Sequence, residues 1–255
     1  MSSSIGCFLR QWRKQRRYSQ LQLSLELGIS SKHISFIETG RSAPSREMIL
    51  KIAEFLFLPK REINRGLYLA GYSPVYRDLP VEHENLKPVF FAIDKMIENH
   101  MPYPALVLDQ NWGVVKANES ASYLLSELGY SGYKNLIEAL AFDNPRTSKI
   151  INWGEVVSSV LLRLRYEISM SGGSSRLEEL EKNLSLRLTQ DVDTISFGEK
   201  QVVPPTKIRI GREELSFFSI ISQLSTIQDV TVNEFRVELM FPVDEATKEF
   251  YLAKT

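Results

Sequence analysis

The stretch GISSKHISFIETGR, Gly28 to Arg41, decides how the first third of the chain folds. Ile29, Ile34 and Ile37 form the stripe a short helix would bury, while Ser31, Lys32, His33, Ser35 and Phe36 point away from it. Ser30 is placed to cap that helix, over about 31–38, and Gly40 to end it. Why a short helix should show small hydroxyls, a cation and a Phe to the outside is a question its own packing does not answer.

Working outward, the neighbouring residues form four more short helices. Ile5, Phe8, Leu9 and Trp12 recur with helical spacing, and Arg10, Arg13, Lys14, Arg16 and Arg17 crowd the end of that helix, where cations suit the dipole. Ser19 caps a helix over about 20–27 with Leu23 and Leu27 inward, and Gly28 closes it. Ser45 opens a helix over about 46–56, and KREINRGLYLAG supplies a fifth. Five short helices in about seventy residues, with a three-residue turn between the second and third, describe a helix-turn-helix domain.

Charge supports that reading. The 255 residues carry 31 Lys+Arg and 31 Asp+Glu. Residues 1–80 alone hold 13 basic and 6 acidic side chains, a net of +7, and the remainder is −7. A basic head on an acidic remainder is the pattern of a nucleic-acid-binding module joined to something that avoids nucleic acid.

The stretch SQLQLSLELGISSKHISFIETGRSAPS resembles the helix-turn-helix of the lambdoid-repressor-like, or xenobiotic-response-element (XRE), regulators, over about residues 5–70. Ser24 stands where that family usually places Ala, and is small enough to keep the helices close. The resemblance implies that the third helix enters the DNA major groove, with Ser31, Lys32, Ser35 and Phe36 facing bases. Lys32 would donate to guanine and Phe36 would sit on a thymine methyl. Gln20, Ser30 and Arg41 would bind phosphates, with His33 open between a structural, a phosphate and a base role. Arg13 and Glu38 match a family pair that forms an internal salt bridge. Leu21 and Leu25, one turn apart and outward, are left unexplained by DNA.

A connector, AGYSPVYRDLPVEHEN (70–85), follows. Beyond it, Leu86, Val89, Phe90, Ile93, Met96 and Ile97 describe an amphipathic helix. Two short strands flank a turn at Asp109–Asn111, and Asn118 caps the next helix. Asn152 and Glu155 have capping-box spacing at the start of a long helix carrying Trp153, Val156, Val157, Val160, Leu161 and Leu164. SGGSS (171–175) is a loop before the charged helix RLEELEKNL. KIRIG, LSFFSIISQL and NEFRVELMF read as strands, the second central because it is apolar on both faces, and Asp244 caps a last helix. The set suits an antiparallel sheet of about five strands with helices over one face.

GYSPVYRD, PYPALVLDQNWGVVKAN, AFDNPR…NW…LLRLR and FFSIISQLSTIQDVTVNEFRVELMFPVDEATK resemble the MmyB-like ligand-binding domain found behind XRE helix-turn-helix domains. This implies a PAS-like fold and a sensory role; the segment LRLTQDVDTISFGEKQ, about 185–201, follows the pattern poorly. The expected division is 1–72 for DNA binding, 73–85 as linker and 86–255 for the PAS-like domain. A pocket in such a sheet would be lined by Phe91, Leu106, Trp112, Val115, Trp153, Val157, Phe218 and Ile220, and would take an apolar ligand such as a fatty-acyl chain. The alternative is a dimerisation or protein-partner module with no ligand.

Other functions find little in the residues. Three scattered histidines (His33, His83, His100) and one cysteine offer neither a metal cluster nor a Cys–His dyad, and Gly172–Gly173 lack the frame of a phosphate loop. No enzyme activity and no required cofactor are expected. The lone Cys7, the lack of a signal peptide in MSSSIGCFLRQWRKQ and the lack of a long apolar run point to the cytoplasm, away from membranes. The expected whole is a homodimeric transcription regulator that binds a double-stranded DNA operator.

Overall fold

The structure, a computed structural model, describes residues 4–80, 83–190, 205–223 and 229–254. Most of the segment that fits the family pattern poorly, 191–201, therefore lies outside the described residues. The chain divides into two compact units, one of Met1–Asp78, Tyr166–Ser174 and Gln228–Val230, the other of Leu79–Arg165, Ser175–Ile227 and Thr231–Thr255. Residues 166–174 and 229–230, which the sequence reading placed in the second domain, thus pack with the first.

The first unit is built on α1 (Ile5–Gln15), α2 (Gln20–Leu27), α3 (Ser31–Glu38), α4 (Arg46–Phe55) and α5 (Lys60–Leu69). Ser4, Ser19, Ser30 and Ser45 each accept a backbone N–H at the start of a helix, which satisfies donors the helix cannot. At Ser19 the bond is reciprocated by Gln22, a complete capping box. Gly28 ends α2 at φ 66°, a conformation a side chain would strain, and so sets the turn into α3. Phe8, Leu9, Trp12, Leu23, Leu27, Ile34, Ile37, Ile49, Ile52 and Leu67 make one core. α1 crosses α3 closely at Gly6, where an added Cβ would run into the Ile37 carbonyl oxygen.

The second unit opens with a 3-10 turn (Glu84–Leu86) and α6 (Lys87–Glu98), followed by β1 (Ala105–Leu108), β2 (Val114–Ala117) and α7 (Glu119–Leu128). Then come α8 (Leu136–Phe142), α9 (Trp153–Ser171), α10 (Ser175–Gln190), β3 (Thr206–Ile210) and β4 (Glu213–Gln223). The short α11 (Val230–Asn233), β5 (Arg236–Pro242) and α12 (Glu245–Leu252) complete it. Asn118 and Asp244 cap α7 and α12 as their positions suggested. The five strands form one antiparallel sheet in the order β2-β1-β5-β4-β3, so β5 is central and β4 interior.

Three features depart from the sequence reading. Helices cover both faces of the sheet: Ile93 and Ile97 of α6 pack on Ala105, Val107 and Val237, while Glu238, next along β5 and so on the other face, shares a cavity with α9. Asn152 does not cap α9 in the expected way. Its side chain accepts from the Lys207 N–H and donates to the Pro205 carbonyl and to Glu155, so it ties β3 to the helix start. Finally α8 had no counterpart in the sequence reading; Asn135 caps it by accepting from the backbone of Ile137 and Glu138.

The last turns of α9 belong to the first unit. Arg16 donates to the carbonyls of Ser169 and Met170, each at 3.1 Å, and to the Leu56 carbonyl at 2.9 Å. Gln15 also donates to Ser169, and Gly172 lies so close to the Trp12 ring that no Cβ would fit. Burial lowers the affinity of the Arg16 guanidinium for its proton, partly offset by Tyr166.

Candidate DNA-reading surface and ligand cavity

The first site is the outer face of α3. Ser30, Ser31, Lys32 and Arg41 are exposed, and Ser35 and Phe36 are half-buried. Lys32 Nζ lies 5.5 Å and Arg41 Cζ 5.8 Å from the centre of the Phe36 ring, so the aromatic face holds a cation from the start of the helix and one from beyond its end. The Arg41 N–H is tied to the Phe36 carbonyl at 2.8 Å, which fixes where that second cation starts. Lys32, Phe36 and Arg41 therefore form one group. Ser30 is occupied in part, since its hydroxyl oxygen accepts the His33 N–H.

Gln20 faces inward with one amide hydrogen. Its Nε2 donates to Glu38 Oε2 at 2.8 Å, leaving its second amide hydrogen uncommitted among the described residues. Glu38 is the centre of a buried network: Arg13 approaches it through Nε at 2.5 Å and Nη2 at 2.8 Å, and gives Nη1 to the Tyr18 carbonyl at 2.6 Å. Burial pushes the Glu38 carboxyl up. The hydrogen bonds from Arg13 and Gln20 and the charges of Arg13 and Arg10 outweigh it, and hold the group below the ordinary carboxylate range. The pair fixes α1 and the start of α2 against the end of α3, behind the reading face.

The second site is a cavity of about 310 Å³ in the second unit, between α9 and the sheet. From α9 it receives Glu155, Val156, Ser159, Val160 and Arg163; from the strands Thr206, Phe218, Ser219, Ile221 and Glu238; Trp112 and Pro205 complete its wall. Of the eight residues expected to line a pocket, Trp112 and Phe218 do so. Leu106, Trp153 and Val157 are instead packed in the core, at 5%, 2% and 0% exposure. Phe91, Val115 and Ile220 are exposed on the surface.

Trp112 is held at φ 67°, a left-handed conformation rarely adopted outside glycine and worth about 1–3 kcal/mol of strain. The turn over-determines it. Asp109 Oδ1 accepts the N–H groups of Asn111 and Gly113, the Asp109 carbonyl accepts that of Trp112, and the Trp112 carbonyl accepts that of Leu136. The result is a buried indole with Arg163 at 5.0 Å and Arg236 at 5.6 Å from its ring. A second cavity, about 350 Å³ between α8 and α10, has its charged groups committed: Glu138 to Arg176, and Arg187 to the Asp143 carbonyl.

The sequence reading missed Val156, Val160 and Arg163 although their spacing is legible. They lie one residue away from the fully buried stripe of Trp153, Val157, Leu161 and Leu164, at its margin. Glu238, within the stretch NEFRVELMF read as a strand, was not among the residues expected to line a pocket.

Among the described residues, no group of three or more His, Cys, Asp and Glu side chains is arranged to hold a metal, and no helix is long and apolar enough to cross a membrane. No curated protein matches the chain. Residues 9–63 match the helix-turn-helix family model, and residues 91–252 match that of the MmyB-like transcription regulator ligand binding domain. Neither is an enzyme family. With the larger match covering more than half of the sequence, and the reading helix and cavity in the units each model spans, the chain belongs to the MmyB-like transcription regulators: it is a DNA-binding regulator with a ligand-binding domain.

Proposed function

We propose that this regulator works in the cytoplasm as a homodimer, reads two half-sites about one helical turn (about 34–36 Å) apart with a pair of α3 helices, and takes a small effector into the cavity beneath α9. The observation that carries the DNA half is the Lys32–Phe36–Arg41 group on α3. A cation stacked on an aromatic ring is placed in advance, so less side-chain entropy is lost when it meets a base or a phosphate. Ser31, Lys32, Ser35 and Phe36 take the base edges in this reading, with Gln20, Ser30 and Arg41 on phosphates.

For the effector half, the support is a cavity at the small end of the size range of small-molecule sites, beside a strained, buried Trp. Val156, Val160, Phe218 and Ile221 offer an apolar wall, which suits an effector with an alkyl or fatty-acyl body. Regulation then requires the effector to favour one arrangement of the DNA-reading heads over another. In this reading α9 carries the coupling. Residues 155–163 of it line the cavity, and residues 166–171 belong to the DNA-binding unit.

The test is native mass spectrometry of the gently purified protein, followed by organic extraction and by operator binding before and after extraction. A dimer mass with a stoichiometric small molecule whose removal changes operator affinity supports the proposal. A clean mass with unaltered affinity would make the second unit a structural dimerisation module.

A further inference from the structure

Glu238 stands in the middle of the central strand. Its cross-strand neighbours are Leu106 on β1 and Ile221 on β4. Interior strand positions disfavour Glu, and a half-buried carboxylate costs solvation unless something answers its charge. The neighbouring charge on the same strand face is answered: Arg236 is buried, donates to the Gln110 carbonyl and lies over Trp112. No hydrogen bond or ion pair reaches Glu238 from the described residues, and it faces the cavity.

The rest of the wall has the same bias. Glu155 enters from α9, its Oε2 accepting from Asn152 Nδ2 at 2.9 Å. Arg163 is the cation of the wall among the described residues, and its guanidinium is stacked on Trp112. Two carboxylates from two different elements thus face a space whose one cation among the described residues, Arg163, is already engaged on a ring. An anionic head would enter against like charges and gain its counter-charge only by drawing Arg163 off the indole. A cationic head meets an unanswered carboxylate and two aromatic rings, Trp112 and Phe218.

We propose that the effector is an amine: a protonated nitrogen received by Glu238, on an apolar body lying against Val156, Val160 and Ile221. This rests on the reading of the cavity as the effector site, and the experiment separates the two. Octylammonium and octanoate share a chain and differ in the head, so isothermal titration of each into the full-length protein near pH 7, below micellar concentrations, isolates the charge. Octylammonium is expected to bind once per chain, at least about tenfold tighter than octanoate. Glu238→Gln, which keeps the shape and removes the charge, is expected to weaken octylammonium by about tenfold or more and leave octanoate unchanged or improved. Val160→Trp, which fills the cavity, is expected to abolish both.

Octanoate binding tighter than octylammonium, and lost in Val160→Trp, would overturn the amine and keep the cavity as the effector site. Binding of either probe that survives Val160→Trp would overturn both, as would the absence of binding by both. Because the octylammonium-to-octanoate ratio is measured on the unmodified protein, the proposal stands or falls even if a variant does not fold.

Discussion

Lys32 and Glu38 lie six residues apart on α3 and have opposite tasks. Lys32 is exposed, so replacing it leaves the fold alone. Lys32→Ala is expected to cost about 1–3 kcal/mol of operator affinity and to relax the preference at one base position, read by electrophoretic mobility shift on a set of single-base operator variants. An equal loss on every sequence would make Lys32 a phosphate contact. Glu38 is 5% exposed and bonded on both oxygens. Glu38→Ala strands the Arg13 guanidinium in the core and is expected to cost about 3–5 kcal/mol of stability by denaturant titration; unchanged melting would remove the pair from the architecture. Because the folded Glu38 carboxyl is held below its ordinary 4.5, its contribution is present above that value and is lost as pH falls through the lower folded one. Acid titrations of the wild type and of Glu38→Gln should therefore differ in slope only in that acid window.

At the scale of elements, α9 shows why the fold was legible in the residues while the cavity was not. The stripe of Trp153, Val157, Leu161 and Leu164 announces a buried helix, and the same regularity announces the strands and most of the capped helices. Core residues are recognised by being the centre of an apolar pattern. Cavity residues are not, because a cavity sits where the pattern ends and packing is incomplete, as at Val160 and Arg163. Choosing the most apolar residues as lining therefore selected Leu106, Trp153 and Val157, which are filled core. On α3 the outward set follows directly from the packed stripe of a helix of eight residues, whatever that set contacts. A pair of substitutions tests the distinction: Leu164→Ala is expected to cost about 2–5 kcal/mol, whereas Val160→Ala, at the margin, costs about 1 kcal/mol or less by thermal melting. In the turn before β2, Asp109→Ala removes the acceptor of two backbone N–H groups and is expected to cost about 1–3 kcal/mol and to shift Trp112 fluorescence as the indole leaves its strained position.

At the scale of the molecule, order along the chain and membership of a unit do not coincide. The DNA-binding unit contains Tyr166–Ser174, nearly a hundred residues beyond α5 by sequence, and Arg16 and Trp12 are shaped around that segment. A charge-and-spacing reading places boundaries at connectors, and nothing in SGGSS marks it as part of another unit. The consequence reaches laboratory practice. A fragment cut at the connector, residues 1–80, would contain every helix of the helix-turn-helix yet leave Trp12 uncovered and Arg16 without the Ser169 and Met170 carbonyls. Such a fragment is expected to melt several degrees below a version to which a synthetic peptide of residues 164–175 has been added, with the difference vanishing in Arg16→Ala. The DNA-reading head of this protein is thus a borrowed assembly rather than a detachable cassette, and a graft that carries the first eighty residues to another protein would leave behind a part of the original.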